Sequence, residues 1–327
     1  MATISKAALK RAVIAAQKRR GGQPDVFRPE AAHYPRLQRS EREGGALFAE
    51  FYRKGGFDAR SYNRLRKEHS AELNRILDQE KAAAVKRASR AKDTLHSSIS
   101  GQSRALQQLT AQNGFFPFPS YSLDKPFLIW AQPHANIISD SSIESFNSWA
   151  KIRVTTSADQ GTENLSFYFL WDNPTDFYAV INAATFMSAS GHLKAVATGG
   201  LSGIDPTSRF SYVGCTANFA LWSWWQNPPT HTDYATQVLA SIGVSASFWD
   251  KSVTANVSDG ASLNRAMFLV PPRGVVVFEV ALAVGYYQGH GHCDADFESG
   301  SFRITCPVVV VSVLTPPSMQ VASSTGP

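Results

Sequence analysis

The sequence predicts an all-β antiparallel sandwich, jelly-roll-like in architecture, preceded by a basic and mainly α-helical N-terminal arm. Residues 1–113 carry 23 Lys and Arg against 11 Asp and Glu, whereas residues 114–327 carry 9 against 15. The hydrophobic period also changes near residue 114, from about 3.6 to about 2. Because 327 residues exceed one average domain, we place a basic helical arm at 1–113 and a β-sandwich domain at 114–327.

The arm begins with a short amphipathic helix, predicted over about residues 5–20, with Ser5 as candidate N-cap and Gly21-Gly22 as the stop. One face is an apolar stripe of Ala8, Leu9, Ala12, Val13 and Ala16. The other faces carry six cations and no acid: Lys6, Lys10, Arg11, Lys18, Arg19 and Arg20. Such a cluster predicts contact with nucleic acid or another polyanion, and a solvated helix face is the alternative. We expect the sandwich core to gain nothing from this segment.

The rest of the arm is predicted as a proline-containing linker over 21–44 and a long helix over about 61–112, which is either continuous or broken into two near Gly101. The helix is Ala-rich and narrow in its apolar stripe, so it needs a partner surface. That surface is either the sandwich or another copy of the chain. The Phe115–Pro119 stretch cannot continue a helix, because each proline disfavours helix at the residue before it.

In the second part, apolar and polar residues alternate as they do in strands with one buried face. Phe167, Phe169 and Trp171 share a face of one strand. Residues 276–284 form a second strand, in which Glu279 is the only charge on the face opposite the apolar one. Further strands are predicted at 127–131, 151–155, 178–188, 192–198, 210–222, 237–248 and 302–313. Nine or ten strands without helical crossovers indicate antiparallel pairing.

The number of cysteines and the hydropathy of the chain predict the cellular compartment in which the protein is found. The three cysteines Cys215, Cys293 and Cys306 are an odd number at irregular spacing, and no apolar leader begins the chain, so we expect reduced thiols. No apolar run reaches the ~20 residues of a transmembrane helix. The expected location is the cytoplasm or the interior of an assembled particle.

Two histidine-containing motifs carry residue types that are used in metal binding or catalysis. The stretch around His290 and His292 resembles the first motif of cupins, which are metal-binding β-sandwich enzymes, and this resemblance implies a metal site. Glu298 lies one position later than the cupin pattern requires, so we interpret the stretch as a polar hairpin tip and predict no metal and no cofactor. His231-Thr232-Asp233 follows two prolines and is predicted to be a solvated loop. We therefore expect a protein that is not an enzyme.

The aromatic cluster Trp222, Trp224 and Trp225 is the candidate ligand-binding surface of the sandwich. Trp222 and Trp224 share one face of a strand and Trp225 takes the other. Saccharide rings and partner proteins both dock on exposed indole rings, although packing between the sheets would also account for the cluster.

The layout of a basic arm followed by one β-sandwich resembles that of small icosahedral virus coat proteins. The resemblance implies a self-assembling, shell- or capsid-like structural protein that contacts its own copies in a homo-oligomer and nucleic acid or another polyanion through the arm. The alternative is a carbohydrate- or receptor-binding sandwich on a helical stalk, as in phage receptor-binding proteins.

Overall fold

The computed structural model describes residues 6–20, 71, 75, 120–176, 178–199, 209–226, 229–232, 234–246 and 250–313. Apart from the two isolated positions 71 and 75, these residues form one α-helix, one 3-10 turn at Ala135–Ile137 and thirteen strands. The elements are α1 Lys6–Arg20, β1 Ser120–Leu123, β2 Leu128–Gln132, β3 Ile138–Ser142, β4 Trp149–Thr156, β5 Gln160–Asp172, β6 Ala179–Ala197, β7 Arg209–Ser223, β8 Thr230–His231, β9 Ala235–Ala246, β10 Lys251–Val270, β11 Val275–Gly289, β12 Gly291–Asp296 and β13 Arg303–Val313.

The strands form two antiparallel sheets packed face to face. Sheet A has the order β1-β13-β4-β12-β6-β10, with β3 beside β4 and a further pairing of β13 with β6. Sheet B has the order β2-β5-β11-β7-β8, with β9 beside β7. The predicted antiparallel sandwich is confirmed, and the finer jelly-roll topology stays a prediction.

Alternating side chains of both sheets fill the core. In sheet B, Phe278 of β11 lies opposite Phe169 of β5 and Leu221 of β7, and all three are fully buried. The three cysteines are free and buried, and each serves as a small core residue, Cys293 of β12 included. The segments 178–188 and 192–198 belong to a single strand, β6, and the twenty-residue strand β10 was not predicted.

Helix α1 packs on the outer face of sheet B. Leu9, Val13 and Ala16 lie on one side of the helix and are 3%, 1% and 8% exposed. They contact an apolar patch of sheet B, which consists of Leu128, Tyr168, Trp222 and Val277. The expectation that the sandwich gains nothing from residues 1–22 is therefore wrong, because this helix covers one of its faces.

The other parts of the predicted arm are not described. The linker 21–44 lies outside the described residues, and of the helix predicted over 61–112 only Ala71 and Arg75 are described, both helical and exposed. The mainly helical arm thus stays a prediction. Within the described part of the chain, no helix is long and apolar enough to cross a membrane.

Candidate binding face

The outer face of sheet A carries small hydroxyl side chains on β6, β10 and β13, and those of β6 are partly exposed. Ser188 and Ser190 are the outward residues at the middle of β6, since the residues between and beside them are buried. The register places Ser190 opposite Ser258 of β10 and Ser188 opposite Thr305 of β13, and Ser262 lies further along β10. We call these five residues the hydroxyl row. Neighbouring strands lie about 4.8 Å apart, and successive outward residues of one strand lie about 6.7 Å apart. The hydroxyl row therefore presents hydrogen-bonding groups at regular spacings both across and along the strands.

Phe186 presents an exposed aromatic ring beside the hydroxyl row. Its side chain points outwards from β6 and is 43% exposed, opposite Ser262 of β10 and Val308 of β13. The ring lies over Gly260, where an added Cβ atom would come within 2.5 Å of the Phe186 Cζ atom. The lack of a side chain at Gly260 thus lets the ring lie close to the sheet.

Further along β6, the outer face of sheet A becomes ionic. Asp294 of β12 accepts hydrogen bonds from Arg153 Nε at 3.2 Å, from Arg153 Nη2 at 3.3 Å and from the Thr155 hydroxyl at 2.6 Å. The hydrogen bond and the charge of Asp294 raise the pKa of Arg153, so the guanidinium stays cationic. His192 lies 3.9 Å from the same carboxylate and packs edge-on against Phe302.

Asp296, the next outward residue of β12, is 2% exposed and bonds within its own turn. Its Oδ1 atom accepts the backbone N–H groups of Glu298 and Ser299, both at 2.9 Å, and the Ser299 hydroxyl bonds to Oδ2. Burial opposes ionisation, but these hydrogen bonds lower the pKa of Asp296. The carboxylate therefore holds the turn after β12 in place.

The covered face of sheet B contains a buried carboxylate. Glu279 of β11 is 1% exposed. It accepts hydrogen bonds from Trp222 Nε1 at 2.9 Å, from the Ser166 hydroxyl at 3.1 Å and from the Tyr168 hydroxyl at 3.4 Å, and His231 Nε2 lies 3.3 Å away. These groups come from β5, β7 and β8, so the carboxylate is held at the meeting point of several strands.

Helix α1 joins this network through one side chain. Gln17, which is 1% exposed, donates from Nε2 to the Tyr168 hydroxyl at 2.8 Å and accepts from Gln132 Nε2 at 3.0 Å. Burial, and then the charge of Glu279, raise the pKa of Tyr168 well above its usual value. The phenol therefore remains a neutral donor at ordinary pH.

The three candidate tryptophans do not form one exposed surface. Trp222 is 3% exposed and lies in the patch that α1 covers. Trp224 is half-buried beside it, with ring centroids 6.2 Å apart. Trp225 lies on the other face, as predicted, and packs against Phe268 at 6.0 Å. Trp224 and Trp225 are partly exposed, whereas Trp222 is buried.

The structure also shows where the histidines of the two predicted motifs lie. His290 lies at the tip between β11 and β12 with a positive φ of 52°, and His292 is an exposed residue of β12, not part of the tip. In the described ranges, no three His, Cys, Asp or Glu side chains are grouped to hold a metal ion. The expectation that His231 lies in a solvated loop is wrong, because its side chain is 8% exposed on β8 and contacts Glu279.

Four of the six predicted polyanion-binding cations, Lys10, Arg11, Lys18 and Arg19, are exposed on α1. We call these four the basic face of the helix. Lys6 and Arg20 are the terminal residues of α1, and their side chains are not described. Because the opposite side of α1 is docked on sheet B, the basic face points away from the sandwich.

The sequence pattern did not indicate Phe186 as a candidate binding residue, and it indicated a lone charge at Glu279 without its partners. The only signal for Phe186 was its position as the one phenyl ring among the outward residues of β6. For Glu279, the signal was a lone charge on an otherwise uncharged strand face. A lone charge in such a position requires partners, and those partners lie on strands distant in sequence.

Comparison with known proteins identifies no family. No protein-family model matches the chain. No curated protein matches it either. Among solved structures, a CBM4 protein is 13% identical over 57% of this chain and 86% of its own, with a TM-score of 0.20. BiXyn10A CBM1 in its apo form is 11% identical over 59% and 96%, with a TM-score of 0.22. The structure of infectious bursal disease virus Gx strain is 12% identical over 61% and 42%, with a TM-score of 0.15. These values are too low to transfer any property to this chain.

Proposed function

We propose that the protein is a non-catalytic, carbohydrate-binding β-sandwich whose ligand is a neutral saccharide held on the outer face of sheet A. The observation that carries this proposal is the exposed ring of Phe186 beside the hydroxyl row. A pyranose ring has an apolar C–H face, which packs on an aromatic ring, and hydroxyl groups at its edge, which exchange hydrogen bonds with serine and threonine. Sheet A offers both kinds of contact side by side.

The position of the face supports the proposal further. The Phe186 ring is 43% exposed, so it is accessible without any rearrangement. Charged groups lie at the Ser190 end of the hydroxyl row, because Arg303 of β13 is opposite Ser190 and His192, beside Asp294, is the next outward residue of β6. A ligand on Phe186, Ser188 and Ser262, at the other end, therefore meets mainly uncharged side chains.

Affinity gel electrophoresis in soluble polysaccharides tests this function. The panel should include neutral glucans, xylans and galactans, with an acidic polysaccharide for comparison. We expect retardation by at least one neutral polysaccharide and a loss of about two- to twelvefold in affinity in Phe186→Ala, since stacking on an aromatic ring is worth about 0.5–1.5 kcal/mol. The matched control is Phe146→Ala, because Phe146 is a 57% exposed ring in the turn between β3 and β4. Equal retardation of both variants would exclude this face.

Self-assembly is the second candidate function, and a specific group of residues favours it. Met267, Leu269 and Tyr178 are 63%, 54% and 57% exposed at one end of the β6–β10 pair. Leu269 lies opposite Val180 on the same pair of strands. Exposed apolar groups of this kind mark contact surfaces. Mass measurement in solution would detect the assembly, and replacement of Leu269 by Ser should reduce it.

A further inference from the structure

Sheet A ends at the long strand β10. This strand pairs with β6 on one side, and no described strand pairs with its other side. A strand at the edge of a sheet presents the N–H and C=O groups of alternate residues to its surroundings. The pairing with β6 is regular over residues 251–265, so residues of the same parity face the free side throughout this stretch.

The even-numbered residues of β10 are the ones that face the free side. A Cβ atom added at Gly260 would lie 3.4 Å from the Met187 carbonyl oxygen, so this oxygen is on the β10 side of β6. Met187 is opposite Ala261, and the backbone groups of Ala261 therefore face β6 while those of Gly260 face away. In agreement with this, the Gly260 C=O accepts from Gln237 Nε2 of β9 at 3.4 Å, and its N–H donates to Asp259 Oδ1 at 2.7 Å.

The first half of this edge has none of the features that protect an exposed strand. Natural sheets block their edges with charged side chains, prolines or bulges. Residues 252–258 are Ser-Val-Thr-Ala-Asn-Val-Ser, with no charge and no proline, and their pairing with β6 has no register shift. At Gly260, by contrast, the side chains of Asp259 and Gln237 already bind the outward groups. The stretch 252–258 is therefore the part of the edge that suits a further strand.

This stretch is complementary to itself about Ala255. In an antiparallel pairing of two copies centred on Ala255, even-numbered residues lie opposite even-numbered residues and exchange both N–H···O=C bonds. The same register brings Lys251 of each copy opposite Asp259 of the other. Both side chains are exposed, so opposite charges meet at the two ends of the paired stretch.

We propose that two copies of the chain pair through β10, antiparallel and in the register centred on Ala255, so that their two A sheets become one continuous sheet. The contact is separate from the exposed apolar group of Met267, Leu269 and Tyr178, which lies at the other end of β10. It goes beyond saccharide binding and is independent of it, because it uses backbone groups at the edge of the sheet and not the ring of Phe186.

Sedimentation equilibrium of the full chain over a concentration series tests the pairing, with Asn256→Pro as the first variant. We expect the wild type to approach twice its monomer mass of 35.7 kDa, and Asn256→Pro to remain a monomer, because proline lacks the N–H and its ring blocks the second strand. The N–H of residue 256 faces away from β6, so the pairing within the sheet is kept. The matched control Asn256→Ala keeps this N–H and should form the dimer. Urea unfolding followed by tryptophan fluorescence reports that each variant is folded.

A charge exchange tests the register. Lys251→Asp brings two carboxylates together at each end and should weaken the dimer by about fivefold or more, since opposite-charge pairs become like-charge pairs. Adding Asp259→Lys to this variant restores opposite charges and should recover the dimer. The proposal is overturned if the wild type is a monomer throughout the series, if Asn256→Pro still dimerises, or if the folded double variant binds no more tightly than Lys251→Asp. A dimer that is lost in Leu269→Ser and kept in Asn256→Pro would place the contact at the apolar group instead.

Discussion

Raising the pH above about 9 should destabilise the sandwich, because three thiols are buried in it as neutral groups. Burial raises the pKa of Cys215 and of Cys306 from 9.0 to about 12, and that of Cys293 to about 11. In the unfolded chain the thiols ionise near their ordinary pKa. The folded state thus holds its thiol protons more tightly, and the stability from this source is complete below pH 9 and lost as the pH rises.

The magnitude follows from the size of the shifts. Each thiol lowers the free energy of unfolding by about 1.4 kcal/mol per pH unit between its unfolded and its folded pKa. At pH 10.5 the loss is about 2 kcal/mol for each thiol and about 6 kcal/mol for the three, against a typical total stability of about 5–15 kcal/mol. Tyr168, whose pKa is raised well above 10.0, adds to the loss at higher pH.

Urea unfolding at pH 8 and pH 10.5, followed by tryptophan fluorescence in the presence of a reductant, measures this loss. In Cys306→Ala the difference between the two pH values should shrink by about 2 kcal/mol, whatever the variant costs at pH 8. Independently, the disulfide reagent DTNB should label the thiols only on unfolding. Stability that is equal at both pH values, or rapid labelling of the native protein at pH 8, would refute the reasoning.

Three further outcomes are expected. Trp222→Phe should lower the free energy of unfolding by about 1.5–3 kcal/mol, because it removes a hydrogen-bond donor from the buried carboxylate of Glu279. Trp225→Phe should lower it by less, and equal losses of the two variants in urea unfolding would contradict this expectation. If the basic face of α1 neutralises phosphates, binding to nucleic acid should weaken with salt by close to one unit of log–log slope for each contact, and salt-independent binding would exclude that role. Replacing both His290 and His292 by Asn should leave the thermal unfolding temperature and the metal content unchanged, and bound zinc lost in the double variant would restore a metal site.

The strands of sheet B could be predicted because their inward residues are large and regularly spaced. Phe167, Phe169 and Trp171 on β5 leave no doubt about the period. β10 was missed, since its buried apolar residues are only Val257, Ala261, Leu263 and Val270 among many polar ones. A twenty-residue edge strand of this composition gives almost no periodic signal.

The docking of α1 could not be predicted, because its partners are distant in sequence. Gln17 meets Tyr168 across 151 residues, and a narrow apolar stripe indicates that a helix needs a surface without indicating which one. The burial of His231 could not be predicted for the same reason. Its sequence neighbours are typical of a loop, and its burial depends on Glu279 of another strand.

The most direct test of the central claim is a crystal structure of the protein with a neutral oligosaccharide that retards it in the electrophoresis panel. The account predicts that a sugar ring lies over the Phe186 ring on the outer face of sheet A, with hydrogen bonds to Ser188, Ser258 or Ser262. A sugar bound instead at Trp224 and Trp225, or beneath a displaced α1 on sheet B, would contradict it.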